Sequence, residues 1–314
     1  MKKIILIVLI TITVLLGIGL FFKKDGVEFN QEQPRLQIVT SFYPLYFFTS
    51  RIVEDKALVT NLTANGDPHD FEPTTGDLRL IDSADLLVSN GVGVESWIET
   101  LESQTPILLS ALNLADIEHD HEDHEGEEHE EEADHDHGPL DPHIWLDPTL
   151  ASQQVQVIAN AISELDEENR NFYQNNALKL IQELEQLDRE FSSSLQSCQQ
   201  DHVITAHAAF AYMARRYDFE QLSIQGLNHE EEIGAKQLSE LAKLAKDKQI
   251  KYIFFENLLS PKLAQTLAQE VDASILLFDP LESIGAEDLN NGADYFSIQR
   301  QNLANLKLAL ECAN

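Results

Sequence analysis

The chain has 314 residues, of which 54 are acidic and 21 are basic, so its formal net charge is −33. This charge argues against a nucleic-acid-binding protein, because phosphate backbones bind basic surfaces, and against docking on anionic lipid by surface charge alone. Apolar residues make up 43% of the chain, as in ordinary globular proteins, and the length predicts two domains. A small cationic ligand suits this composition better.

The N-terminal segment has the composition of a membrane address. Lys2 and Lys3 precede an uncharged apolar run, Ile4–Phe22. The run is longer than a signal-peptide core of about 7–15 residues and approaches the ~20 residues of a membrane span. We therefore expect residues 1–24 to form an uncleaved anchor with its lysines in the cytoplasm; a cleaved signal peptide is the alternative. In both cases residues 25–35 form a tether, and the body of the protein is extracytoplasmic, at the cell surface or in the periplasm.

From residue 36 onward, short apolar strands alternate with helical stretches. Helices are predicted over residues 45–54 and Thr149–Leu165. Strands separated by helices indicate a parallel sheet covered on both faces, so residues 36–165 are predicted to form an N-terminal lobe. Its predicted strands are Leu36–Thr40, Ala57–Ala64, Leu86–Ser89 and Ile107–Leu109.

An acidic, histidine-rich stretch interrupts this lobe. Residues 116–137 hold 13 acidic residues and six histidines and almost nothing apolar. They cannot bury enough surface to offset the entropy of ordering, so a disordered loop is predicted over residues 113–138. The loop either captures metal ions weakly near the main site or is only a solvated acidic spacer. Its histidines are His119, His121, His124, His129, His135 and His137.

A long helix is predicted to join this lobe to a second one. One apolar stripe with helical spacing runs along residues 167–195, which would make a rigid helix ~45 Å long. We assign residues 166–197 to this linking helix and residues 198–314 to a C-terminal lobe of the same strand–helix pattern. The stripe is Tyr173, Ala177, Ile181, Leu184, Leu187, Phe191 and Leu195. The second lobe's predicted elements are strands His202–Ala206, Gln221–Ile224, Lys251–Glu256 and Ser274–Phe278, and helices Gly234–Lys246 and Pro261–Val271.

The chain has two cysteines, Cys198 and Cys312. An even pair in an extracytoplasmic protein favours a disulfide, and we expect one between them; two free buried thiols are the alternative.

Four metal-binding side chains follow predicted strands or lie in similar loops. His69 follows the second strand, His143 lies between the acidic loop and a helix, and His207 and Asp279 each follow a strand of the second lobe. Ligands of parallel α/β sheets bind beyond the carboxyl ends of the strands. Three imidazoles and a carboxylate that converge there would suit tetrahedral Zn²⁺.

Six short motifs resemble one family over about residues 36–312. They are Ser41-Phe42-Tyr43-Pro44-Leu45, Asp67-Pro68-His69-Asp70-Phe71-Glu72-Pro73, Asp141-Pro142-His143-Ile144-Trp145-Leu146-Asp147-Pro148, His207-Ala208-Ala209-Phe210-Ala211-Tyr212, Phe254-Phe255-Glu256-Asn257 and Asp279-Pro280-Leu281. They resemble the zinc-binding solute receptors of ABC transporters, a family that also includes manganese receptors. The resemblance implies two α/β lobes with parallel sheets flanked by helices, joined by one long helix, with the metal in the cleft between the lobes. It maps the family's metal ligands onto His69, His143, His207 and Asp279.

The same resemblance implies a function. We expect a monomeric, non-enzymatic receptor that captures Zn²⁺ and delivers it to an ABC membrane permease. Manganese relatives place a carboxylate where this chain has His207, and imidazole suits Zn²⁺ better than Mn²⁺, so we favour zinc. A manganese-binding receptor or adhesin of the same fold is the alternative. A zinc hydrolase is a remote alternative, because the His-Glu-x-x-His spacing of one zinc hydrolase class does not occur in the sequence.

Overall fold

The structure, a computed structural model, describes residues 35–64, 66–117, 140–227, 234–257 and 262–313. The chain divides into a unit Met1–Arg35 and a unit Leu36–Asn314, and both sheets lie in the second unit. The predicted anchor, the loop histidines and the start of the predicted helix at Pro261 lie outside the described residues. Within the described residues, no helix is both long enough and apolar enough for a bilayer span.

Two four-stranded parallel sheets form the framework, as predicted. The strands are β1 Leu36–Thr40, β2 Ala57–Asn61, β3 Leu86–Ser89, β4 Ile107–Leu109, β5 His202–Thr205, β6 Glu220–Ser223, β7 Tyr252–Phe255 and β8 Ser274–Leu277. The first sheet has strand order β2-β1-β3-β4 and the second has the equivalent order β6-β5-β7-β8. In the first sheet Ile38 lies opposite both Val59 and Leu86, and in the second Ile204 lies opposite Ile253.

Helices flank both sheets, and several were not predicted. The predicted helix at 45–54 begins earlier, at Tyr43, because Pro44 suits the first turn of a helix. The helices are α1 Tyr43–Val53, α2 Thr75–Asp82, α3 Pro148–Leu165, α4 Arg170–Ser194, α5 Ala211–Tyr217, α6 Ala235–Asp247, α7 Lys262–Val271, α8 Ala286–Asn290 and α9 Tyr295–Ala309. Four of these helices, α2, α5, α8 and α9, were not predicted. Asp294 and Ser297 form a capping box at the start of α9 that could have indicated that helix.

The long helix α4 lies between the two sheets in the sequence. It is shorter than predicted, because Asp166 ends α3 and accepts hydrogen bonds from Asn169 and from the Tyr173 hydroxyl, which shapes a short 3₁₀ turn before α4. Its 25 residues correspond to about 38 Å. The apolar stripe is buried except at Ile181, which is partly buried, and the helix packs against α1 and α3 of the first lobe and α9 of the second. One hydrophobic core therefore extends from α4 into both lobes.

The predicted pair Cys198–Cys312 is a disulfide. It joins the chain just after α4 to the segment just after α9. Ala313 N also donates to the carbonyl of Ser197 at 2.9 Å. The end of the second lobe is thereby fixed to the end of the long helix.

Candidate metal centre

Three histidines and one carboxylate converge between the carboxyl ends of the two sheets. His69 lies beyond β2, His143 beyond β4 and His207 beyond β5, while Glu282 follows β8. The Nε2 atoms of His69, His143 and His207 lie 3.3, 3.6 and 3.4 Å from one oxygen, Glu282 Oε1. Among the described residues these four side chains form the group that could hold a metal ion, with ligand atoms all within 4.8 Å of one another.

The three distances to Glu282 Oε1, 3.3–3.6 Å, are close to those of a tetrahedral zinc site. Ligand atoms about 2.0–2.1 Å from a tetrahedral Zn²⁺ lie about 3.3–3.4 Å from one another. The side chains of His143, His207 and Glu282 are fully buried, and that of His69 is 3% exposed. The four groups enclose a site that is shut off from bulk water.

A carboxylate orients the ring of His143. Asp141 Oδ1 accepts hydrogen bonds from the backbone N (2.9 Å) and from Nδ1 (2.8 Å) of His143. Because the carboxylate accepts the Nδ1 proton, the lone pair of neutral His143 lies on Nε2, the atom that faces Glu282.

Glu256, at the end of β7, orients His207 in the same way. Its two oxygens accept hydrogen bonds from the backbone N (3.1 Å) and from Nδ1 (2.6 Å) of His207. The carbonyl of His207 also accepts hydrogen bonds from Thr205 (2.7 Å) and Gln221 (2.8 Å). The ring of His207 is therefore held with Nε2 toward the centre of the group.

The charges of the site are strongly coupled. Burial by itself would raise the pKa of Glu282, but the adjacent imidazoles of His143, His207 and His69 outweigh it and hold the pKa well below its usual range. Burial by itself would lower the pKa of His207, but Glu256 and Glu282 raise it to about 10. Asp141 and Glu282 likewise outweigh burial and raise the pKa of His143. In the absence of metal, His143 and His207 therefore hold a proton more strongly than an ordinary histidine does, at the positions where a cation would be held.

The carboxylate of the group is Glu282, and Asp279, the residue expected from the sequence, is not part of it. Asp279 Oδ2 accepts a hydrogen bond from Asn257 (2.7 Å), and its Oδ1 accepts one from the backbone N of Leu281 (2.8 Å). Burial, reinforced by the negative charges of Glu282 and Glu256, raises the pKa of Asp279 to about 6. Asp279 thus shapes the turn that presents Glu282, and the structure brings Glu282 rather than Asp279 into the group with the three histidines.

This turn contains an unusual backbone conformation. Leu281 has φ +62°, a left-handed value that non-glycine residues rarely adopt. Asn302 of α9 holds the start of the turn, since its amide group accepts from Asp279 N (2.9 Å) and donates to Asp279 O (2.8 Å). Trp145 Nε1 donates to Pro280 O at 2.8 Å. The surrounding structure therefore fixes the turn that directs Glu282 toward the histidines.

The segment that carries His143 is tied to the second lobe. Besides the bond from Trp145 to Pro280, the hydroxyl of Tyr295 donates to Trp145 O at 2.6 Å and Gln299 Nε2 donates to Leu146 O at 3.1 Å. His143 and Glu282, which are far apart in the sequence, are thereby held in a fixed relation.

The sequence predicted three members of the group and missed Glu282, Glu256 and the role of Asp141. Glu282 directly follows the Asp279-Pro280-Leu281 motif, so a second carboxylate beyond a strand end was the available signal. The six loop histidines lie outside the described residues. His202, which was not predicted to be a ligand, contacts Asp201 and Glu220 away from the group.

Comparison with known proteins gives the family. The model of the family described as "Zinc-uptake complex component A periplasmic" matches residues 38–309. The chain is 36% identical over 281 residues to the high-affinity zinc uptake system protein ZnuA of Bacillus subtilis (strain 168), covering 88% of each chain. It is 34% identical over 327 residues to the zinc-binding protein AdcA of Streptococcus pyogenes serotype M3; the match covers 100% of this chain but only 62% of that protein.

Solved structures that are similar to this chain agree with the family match. The Zn(II)-bound ZnuA-like domain of Streptococcus pneumoniae AdcA is similar with a TM-score of 0.73 at 31% identity, covering 88% of this chain and 99% of that one. The laminin-binding protein Lmb of Streptococcus agalactiae, described as having adhesin and metal-transporting activity, is similar with a TM-score of 0.77 at 29% identity and the same coverage. From the extent of the family match and the identity to its members, the chain belongs to the zinc-uptake complex component A family.

Proposed function

We propose that this protein captures Zn²⁺ outside the cytoplasm and delivers it to an ABC permease. The observation that carries the proposal is the convergence of His69, His143 and His207 on Glu282 Oε1 at 3.3–3.6 Å. Four protein ligands close a tetrahedral coordination sphere, whereas catalytic zinc sites keep a position for water. The metal is then the cargo of a receptor, and the protein is not an enzyme.

Zinc is the metal that the ligand set favours. Three imidazoles and one carboxylate suit Zn²⁺, whereas Mn²⁺ prefers harder oxygen ligands. The proposal agrees with the names of the relatives, which include a zinc uptake protein and zinc-binding proteins.

Titration of the purified chain with competing metals tests the proposal. Zn²⁺ should bind with a stoichiometry of one at the tight site and displace Mn²⁺ at equal free concentration. His143→Ala and His207→Ala should each lower zinc affinity by at least about a hundredfold while the protein stays folded. Retained affinity in both variants, or a preference for Mn²⁺, would contradict the proposal.

We further propose that the acidic loop raises the local concentration of zinc near this site. The support is compositional, since His119, His121, His124, His129, His135 and His137 alternate with carboxylates that attract divalent cations. Deletion of residues 119–137 should slow uptake at scarce zinc and leave the tight-site affinity unchanged. Unchanged uptake would mean that the loop is only a spacer.

We also propose that the protein is a monomer held at the membrane by residues 1–24. The apolar run Ile4–Phe22 between lysines supports the anchor. One of the relatives is named a zinc-binding lipoprotein. The N-terminal sequence of the protein recovered from cell membranes decides between an anchor and a cleaved signal peptide.

A further inference from the structure

We infer that Tyr212 is a positioning residue for the metal site, acting from the second lobe on the ligand His143. The inference rests on the proposed function, since its readout is zinc binding. Tyr212 lies on α5, the helix that follows His207, and it is completely buried.

All hydrogen-bonding positions of the Tyr212 hydroxyl are used. It donates to the backbone O of Asp141 at 2.7 Å and accepts from the backbone N of Asp116 (3.1 Å) and of Ile117 (3.4 Å). A phenol has one proton and two lone pairs. Burial raises the pKa of Tyr212 to about 12, so the hydroxyl remains a donor at neutral pH.

Asp116 and Ile117 are the first residues of the acidic stretch, and Asp141 lies just after its end. Asp141 N donates to Ile117 O at 2.7 Å, so the two segments are also bonded to each other. Arg215, one turn after Tyr212, pairs with Asp116 at 2.7 Å, but both side chains are about half exposed and contribute little. Between α5 and this pair of segments, the hydroxyl therefore supplies buried hydrogen bonds in addition to the apolar packing of the Tyr212 ring against Ile144 and Ile117.

The tie reaches the metal site through Asp141. Its backbone is fixed by Tyr212, and its carboxylate holds both the backbone N and the ring Nδ1 of His143. Asp141, His143 and Tyr212 are all fully buried, so no bulk water can replace a lost partner. A shift of Asp141 would therefore rotate the His143 ring and move Nε2 relative to the other three ligand atoms.

The inference is tested by Tyr212→Phe, which removes only the hydroxyl. Groups that orient a metal ligand typically change metal affinity 10–100-fold when mutated. Because Tyr212 acts one step further out, we expect zinc affinity about tenfold below that of the unaltered chain, measured by competition with a chromogenic chelator. The visible absorption bands of the Co²⁺-loaded variant should also change, because they report coordination geometry rather than stability.

The matched control is Tyr217→Phe. Tyr217 lies on the same helix and is also buried, but its hydroxyl donates to Asp188 of the long helix at 3.2 Å rather than to Asp141. The Tyr217→Phe variant should lower the melting temperature as Tyr212→Phe does, and it should leave zinc affinity and the Co²⁺ spectrum unchanged.

Equal zinc affinity in the unaltered chain and Tyr212→Phe would overturn this inference alone, as would an equal loss in Tyr217→Phe. Absence of tight zinc binding by the unaltered chain would overturn the proposed function, and this inference with it.

Discussion

The choice of carboxylate ligand gives the sharpest test of the site. Glu282→Gln keeps the size of the side chain but removes its charge, at a fully buried position whose oxygen lies 3.3–3.6 Å from three imidazole nitrogens. Removing one partner of a buried charged pair costs about 3–5 kcal/mol, and each ~1.4 kcal/mol is a factor of ten in affinity. We therefore expect zinc affinity to fall by about two to nearly four orders of magnitude.

Asp279→Asn is the comparison variant. Asparagine can still accept the hydrogen bond from Leu281 N, so the turn before Glu282 is expected to persist. Its zinc affinity should fall by less than about threefold.

Competition with a chelator of known zinc affinity, at one pH and on chains whose circular dichroism matches, measures both variants. A loss in Asp279→Asn as large as that in Glu282→Gln would refute the assignment of Glu282. Full affinity in Glu282→Gln would refute it as well.

Three further predictions concern pH, the disulfide and the core. Protons and zinc compete for Nε2 of His143 and His207, whose pKa values are raised in the metal-free protein. Zinc affinity should therefore fall as the pH is lowered and rise as these groups lose their protons. Calorimetry in buffers of different ionisation enthalpy should detect the release of protons on zinc binding at neutral pH. A pH-independent affinity between pH 6 and 8 would contradict this. Replacing Cys198 and Cys312 by serine opens a loop with a sequence separation of 114 residues and should lower the free energy of unfolding by up to about 4–5 kcal/mol in a denaturant titration, with zinc affinity unchanged; an unaltered unfolding midpoint would count against a stabilising disulfide. Leu184→Ala opens a cavity beside the long helix, where Leu184 is fully buried, and should cost about 2–5 kcal/mol; a cost below about 1 kcal/mol would show that the surrounding helices close the gap.

Local patterns in the sequence were sufficient for the framework, and together with the family motifs they singled out three of the site residues. Apolar runs of strand length and the apolar stripe of the long helix are patterns among residues close together in the sequence. Both parallel sheets and α4 could therefore be predicted. His69, His143 and His207 were found because each lies near the end of a strand or in a family motif, and carboxyl ends of parallel strands meet at one edge. Helices α2 and α9 were missed although α9 has a capping signal at Asp294.

The carboxylate could not be chosen from such patterns. Asp279 and Glu282 both follow β8, and which of them faces the histidines depends on the left-handed turn at Leu281. That turn is held by Asn302 of α9 and by Trp145 of the other lobe, both distant in the sequence. Long-range hydrogen bonds in a buried region, which leave no local signal in the sequence, therefore determine that Glu282 is the fourth member of the group. The three histidines could be singled out beforehand because they follow strands or lie in family motifs.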